Sequence, residues 1–269
     1  MVILMIKRIV GIGIFLATLS WAQPPALNGI AHVAFRVADV TVGRAFYQKL
    51  GFDQFFELTR DGQTTEAFLK VNDLQFIELY PRSAQQPGGL MHICYLSNDM
   101  EPLYAEYVKR ELKPSPARKA AAGNIIMVVR GPENQTLEYT QYMPGSRHSE
   151  DHGKHLSENR ISQHMLGATL AVKDLPAARA FYVDKLAFEP RAEGADGVYL
   201  RLPGGSGDEV KLEPAGDDTK PGLFFTVPDL QRTAADLKSR GLAVKTTPTS
   251  VSVTDPDGVI IVFTRSSAR

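Results

Sequence analysis

The chain has 269 residues, 43% hydrophobic and 22% charged, ordinary values for a soluble globular protein with room for two modest domains or one large one. Thirty Lys and Arg balance thirty Asp and Glu. That balance excludes a basic field for nucleic acid, and the sequence carries no nucleic-acid-binding motif.

In chain order, residues 1–22 read as a secretory signal peptide outside the fold. Lys7 and Arg8 form a short positive region and Ile9–Leu19 an apolar run. Ser20-Trp21-Ala22 puts small residues three and one positions before a cut ahead of Gln23. The alternative is an uncleaved anchor, although the run falls short of the roughly 20 residues a membrane span needs. The expectation is a secreted or periplasmic protein with no stable membrane insertion after cleavage. Cys94 is the single cysteine, so an internal disulfide is impossible and the core must hold the fold. It reads as a small buried hydrophobe on a strand, or alternatively as a thiol beside a metal.

The first module is expected over residues 28–143. Ile30–Val37 alternates, with Val33, Phe35 and Val37 on one face and His32, Ala34 and Arg36 on the other. Asp39 reads as a helix N-cap, and Gly51 ends the helix Val40–Leu50. Phe52–Leu58 and Thr65–Val71 form a hairpin around Asp61-Gly62. Leu74–Tyr80 is a fourth strand, stopped by Pro81. After the Pro/Gly-rich stretch 81–89 the pattern restarts. Leu90–Leu96 is a strand, Asp99 a cap, and Glu101–Glu111 a helix. Asn124–Val129 and Thr136–Tyr142 are strands, with a weak strand signal over Leu112–Ala122. Two His and two Glu sit on four of these strands: His32, Glu78, His92 and Glu138.

Residues 144–163 are polar and lack apolar periodicity, so they read as a solvated linker between modules. His148, His152, His155 and His164 fall there or just after. Their spacing suits a second metal, or the segment is a lid over the first site. The second module, 164–265, opens on LGATLAVKDLPAARAFYVDKLAF, which repeats IAHVAFRVADVTVGRAFYQKLGF of the first. Asp174 and Asp229 repeat the caps at Asp39 and Asp99. Four strand-to-helix steps therefore divide the chain into four βαβββ quarters, an α+β class.

On AHVAFRVADV with RAFYQKLGF, FIELY, MHICYLSNDM, GPENQTLEY, ATLAVKDLPAARAFY and DPDGVIIVF, the chain resembles the vicinal-oxygen-chelate superfamily. That group includes glyoxalase I, bleomycin- and fosfomycin-resistance proteins, extradiol dioxygenases and an acyl-CoA epimerase. The resemblance covers nearly all of residues 29–264. It implies paired βαβββ units whose mixed sheets curl into cups. It further implies that His32, Glu78, His92 and Glu138 hold one divalent metal ion, with nickel, cobalt, manganese, iron and zinc all suited to two imidazoles and two carboxylates. Alternatively the two His and Glu138 bind as a facial triad and Glu78 is a base behind them.

The RAFY register aligns His32 with Gly167, His92 with Gly222 and Glu138 with Val262, leaving Glu213 near the place of Glu78. Glycine and valine offer no side-chain ligand, so one site per chain is expected, in the first module. The resemblance implies isomerase or lyase chemistry on a small oxygen-rich substrate, with Glu138 or Glu78 moving the proton. Arg36, on the same face as His32, reads either as the holder of a substrate carboxylate or as a surface charge at the cup rim. The alternatives are an extradiol-type dioxygenase with ferrous iron, which needs an acid–base His that only the linker can supply, and a resistance-type protein that binds a small molecule without chemistry. A monomer built as a pseudo-dimer and a homodimer both remain open.

Overall fold

The computed structural model describes residues 26–194 and 196–266; the predicted signal peptide lies outside the described residues. The first quarter is β1 (Gly29–Val37), α1 (Val40–Lys49), β2 (Gln54–Arg60), β3 (Gln63–Lys70) and β4 (Phe76–Pro81). The second is β5 (Gly89–Leu96), α2 (Met100–Lys109), β6 (Arg118–Lys119), β7 (Ile125–Arg130) and β8 (Thr136–Gln141). A short helix, α3 (Arg147–Glu150), follows. The third quarter has β9 (Met165–Val172), α4 (Leu175–Ala180) with a π-helical turn over Phe181–Lys185, then β10 (Glu189–Gly194), β11 (Gly197–Arg201) and β12 (Glu209–Pro214). The fourth has β13 (Gly222–Val227), α5 (Leu230–Ser239), β14 (Lys245–Thr246), β15 (Ser250–Thr254) and β16 (Ile260–Arg265).

The expected caps hold the helix starts. Asp39 accepts from the Thr41 and Val42 N–H groups, Asp99 from Glu101, Asp174 from Ala177, and Asp229 from Gln231 and Arg232. Each module is one eight-stranded mixed sheet. The orders are β2-β3-β4-β1-β5-β8-β7-β6 and β10-β11-β12-β9-β13-β16-β15-β14. In the first sheet, β1 and β5 run antiparallel at the centre, and each pairs in parallel with the last strand of its own quarter. The weak signal after α2 yields only the two-residue β6.

One apolar core spans both modules: Val33, Phe35 and Val37 belong to the same buried cluster as Val210, Leu223 and Phe263. The contacts between modules are reciprocal. The Ile30 N–H donates to Asp208 Oδ2 at 2.8 Å, and the N–H of Met165, its counterpart, donates to Gln75 Oε1 at 2.8 Å. The Ala38 N–H donates to Asp257 Oδ1, and that of Lys173, its counterpart, to Glu133 Oε1. Residue i meets j and j meets i, the pattern of a two-fold dimer interface. No helix among the described residues is long and apolar enough to cross a membrane.

Two expectations change. The linker is only partly solvated: Ser146, His148, Asp151 and Ser162 are buried, while most of its other residues are exposed. It lies against the first module. Gly51, at φ +83°, takes the close approach: a Cβ there would stand 2.6 Å from the Asn159 carbonyl oxygen. The second correction concerns Glu213. Ala34 pairs with Glu78, whereas Thr169, the residue in register with Ala34, pairs with Lys211. Lys211, not Glu213, therefore stands where Glu78 stands.

Candidate metal centre in the first cup

Strand register sets the donors in two rows across the sheet. Glu78, Ala34 and His92 form one row, and His32, Cys94 and Glu138 the next. Side chains directly opposite on neighbouring strands share a face, so all four predicted ligands project together, with the small Ala34 leaving space between Glu78 and His92. His32, Glu78 and His92 are buried at 6%, 4% and 5% exposure, while Glu138 is partly open.

His32, Glu78 and His92 offer donor atoms within 4.8 Å of one another, and Glu138 reaches the same two imidazoles. His32 Nε2 is 3.0 Å from His92 Nε2 and 3.3 Å from Glu138 Oε1, and His92 Nε2 is 3.9 Å from the same oxygen. Ligands bound at about 2.0–2.2 Å around one ion sit roughly 3–3.5 Å apart, so these three atoms fit the corners of a divalent site. Glu78 Oε1 instead lies 3.3 Å from the other ring nitrogen of His32, Nδ1, and Oε2 is 4.0 Å from His92 Nε2. A carboxylate on the far nitrogen of a ligating imidazole fixes its tautomer and orientation. Cys94, beside Glu138, groups with His32 as a further potential donor, but burial pushes its thiol well above the ordinary value, which keeps it protonated.

The electrostatics suit the same donors. Burial lowers His92 to about 4, leaving its lone pair free near neutral pH. Burial would raise Glu138, but the two imidazoles outweigh it and pull the carboxyl down to about 2. For His32, burial pulls the imidazole down, and the Glu78 and Glu138 carboxylates more than compensate, leaving it raised. Glu78 is pushed up to about 8, first by burial and then by Glu66 and Glu138, against the pull of His32.

Polar lining residues that the sequence reading does not single out include Glu66, Tyr80, Arg118 and Tyr142. Glu66 and Tyr80 join Glu78: the Tyr80 hydroxyl donates to Glu66 and lies 3.2 Å from Glu78 Oε2. Their signal was available, since Glu66 and Tyr80 stand two residues from Phe68 and Glu78, which pair across strands. Arg118 and Tyr142 also line the cavity, about 310 Å³ in volume, together with His32, Glu78, His92, Glu138 and His148. Arg36 is half-buried on β1 and is not among its lining residues. His148 comes from the linker. The other three linker histidines lie apart: His152 faces Asp73, His155 Asp151 and His164 Asp208, and none belongs to a group of potential metal ligands among the described residues.

Among the described residues the second cup holds no such set. Gly167, Gly222 and Val262 occupy the places of His32, His92 and Glu138, and Lys211 makes ion pairs with Glu213 at 2.8 Å and Asp196 at 3.2 Å. A family model described as Glyoxalase/Bleomycin resistance protein/Dioxygenase superfamily matches residues 162–263. The match falls in the second module. The first module repeats its topology strand for strand, and the vicinal-oxygen-chelate fold runs through both halves.

No curated protein matches the sequence. Among solved structures, the chain is similar to the Mn(II)-bound glyoxalase from Novosphingobium aromaticivorans, at 15% identity and TM-score 0.69, covering 89% of this chain and 82% of that one. It is similar to the 2,3-dioxygenase LapB from Pseudomonas sp. KL28, at 13% identity and TM-score 0.67, covering 91% and 94%. An extradiol ring-cleaving dioxygenase from Brevibacterium fuscum gives 14% identity, TM-score 0.69, and 93% and 74% coverage. At these identities the likeness is one of fold.

Proposed function

We propose that this vicinal-oxygen-chelate protein is an exported metal-dependent enzyme acting on a small molecule with neighbouring oxygens, by proton transfer of the isomerase or lyase kind. The observation that carries this reading is the triangle of His32 Nε2, His92 Nε2 and Glu138 Oε1, with edges of 3.0, 3.3 and 3.9 Å inside a cavity. A divalent ion held there would supply Lewis acidity toward substrate oxygens. Glu138, drawn down to about 2, is a better ligand than base. Glu78, raised to about 8, is matched to taking a proton and returning it near neutral pH, and Tyr80 links it to Glu66. Arg118, exposed and lining the cavity, is better placed than Arg36 to hold a substrate anion. Export rests on the pattern from Lys7 to Ala22.

A second reading, a ring-cleaving dioxygenase with ferrous iron, gains from the histidine that the linker brings to the cavity. Elemental analysis of the purified mature protein tests both, beside a His32→Ala/His92→Ala double variant. About one ion per chain, lost in the variant, is expected; nickel, cobalt, manganese or zinc favours proton transfer and iron favours oxygen chemistry. A wild type that holds no divalent metal after reloading sinks both and leaves a small-molecule binding protein.

A further inference from the structure

The modules grip each other at two related places, and the two grips differ. At one, the turn after β15 runs Asp255-Pro256-Asp257-Gly258. Asp255 Oδ1 accepts from the Asp257 and Val259 N–H groups at 2.9 and 2.8 Å, and Oδ2 accepts from the Tyr47 hydroxyl of α1 at 3.1 Å. At the other, strand register puts Gly131 where Asp255 stands, and the RAFY repeat puts Tyr182 where Tyr47 stands. Gly131 has no side chain, and Gln135 reaches back over it: a Cβ on Gly131 would stand 2.5 Å from Gln135 Oε1. That oxygen accepts from the Glu133 N–H at 3.0 Å, the counterpart of the bond from Asp257 to Asp255. The turn is therefore held in both halves. The second carboxyl oxygen, which accepts from the tyrosine, has no counterpart.

Gln135 and Tyr182 instead line one cavity of about 330 Å³ between the modules. Because Gln135 Oε1 is engaged by the turn, the amide has its NH2 left over, and that group has no hydrogen-bond partner among the described residues. Tyr182 is only 2% exposed, and its hydroxyl meets that of Tyr95. Two facing hydroxyls share one hydrogen bond and leave one proton over. The Tyr95 hydroxyl is sealed in the core, so the spare proton is that of Tyr182, the member of the pair that lines the cavity. Buried donors nearly always have an acceptor. Leu90, Leu170 and Pro221 supply apolar wall, and no Asp, Glu, Lys or Arg is among the lining residues. The one imidazole, His92, belongs to the donors of the first cup.

We infer that the cavity between the modules is a second small-molecule site, in which the Tyr182 hydroxyl and the Gln135 NH2 donate to an oxygen of an uncharged, largely apolar ligand. That oxygen takes the place which Asp255 Oδ2 takes beside Tyr47 in the other half. Two donors without a cation suit the carbonyl of a ketone or an amide. A carboxylate is disfavoured, because burying its charge with no opposite charge costs more than two hydrogen bonds return. Nothing in this site depends on a metal in the first cup.

The test uses the full mature chain, treated with chelator, and 4-fluoroacetophenone, an uncharged ketone whose single oxygen cannot chelate. Binding is read in ¹⁹F NMR as broadening of the probe line that saturates with protein. Ala171→Trp, at an exposed lining position, fills the cavity and is expected to abolish the broadening. Tyr182→Phe keeps the ring and removes one donor. Gln135→Glu keeps an oxygen for the turn and removes the other. Each is expected to bind the probe roughly tenfold more weakly, with circular dichroism showing that the variant is folded; should one not fold, the other decides. The anion 4-fluorobenzoate is expected to bind wild type at least roughly tenfold more weakly than the ketone. No saturable broadening in wild type, undiminished broadening in Ala171→Trp, unchanged affinity in a folded donor variant, or benzoate bound as tightly as ketone each overturns the inference. The chelated protein carries no metal, so these outcomes are independent of whether the first cup takes one up.

Discussion

The two cups are built on the same strand order and the same register, yet only the first gathers donors. In the first, His32, Glu78, His92 and Glu138 turn a patch of sheet into a hollow lined by carboxyls and imidazoles. In the second, two glycines and a valine take three of those places, and Lys211 carries a positive charge where Glu78 stands. The difference teaches that the fold needs the strands and not the donors. The second module is also the one the family model matches, over residues 162–263. The signal of family and the signal of chemistry thus sit in different halves of the chain.

The comparison is broken most forcefully at Gly167. A Cβ there would stand 2.2 Å from the Glu209 carbonyl oxygen, a backbone atom that cannot step aside. Gly167→Ala is expected to destabilise the protein by roughly 3 kcal/mol, read as a lower urea midpoint. No histidine can therefore be grafted at that position without rebuilding the strand pair.

A slightly smaller effect is expected from Lys70→Met, which strands Asp151 beneath the linker with only His155 beside it. A loss of about 2–3 kcal/mol follows from breaking a buried ion pair that the second cup lacks. Urea unfolding gives the size, and hydrogen exchange at α3 reports whether the linker has lifted.

The pH response separates the linker from the sheet. His148 is held at about 3, against an ordinary value near 6.5. Below 6.5 the unfolded chain binds a proton that the folded chain refuses. Its contribution to stability is therefore complete above 6.5 and declines as pH falls toward 3. Between pH 7 and 5 the wild type should lose on the order of 1–2 kcal/mol relative to His148→Phe, measured by urea unfolding of both at each pH. A parallel pH dependence in the two proteins would show that the imidazole is not buried neutral.

The smallest expected effect is none. Lys211→Glu restores a carboxylate at the Glu78 position, but Gly167, Gly222 and Val262 still supply no ligand. The metal content per chain should not change, and elemental analysis of the variant beside wild type checks it.

Much of this could be read before the structure, and the reasons are local. Asp39, Asp99, Asp174 and Asp229 each announced a helix start because a cap is a short-range hydrogen bond between near neighbours in sequence. Period-two alternation placed His32 on the face opposite Val33 and Phe35. Glu213 was misplaced because the turn at 204–207 hides the strand register, and a shift of two residues keeps the same face. For His148 the sequence leaves a solvated linker, a second metal and a lid over the first site open, because PGSRHSED has no periodicity to report burial. The box around its ring is made by Phe55, Phe56, Phe76 and Tyr142, distant residues that only tertiary packing brings together. For Glu78 the sequence leaves ligand and base both open, since which nitrogen of His32 it faces is a matter of ångströms.

The reciprocal contacts between the halves have a counting consequence. In two separate copies related by a two-fold axis, whatever one copy lays over its neighbour's cup, the neighbour lays over its own. Here Ile30 with Asp208 and Met165 with Gln75 keep that pairing. The peptide joining the halves, however, exists once. Residues 144–163 bring His148 into the wall of the first cup, and no equivalent joining peptide stands beside the other among the described residues. Fusion itself is enough to make the halves unequal, and from that point donors lost from the half without the joining peptide cost the other half nothing.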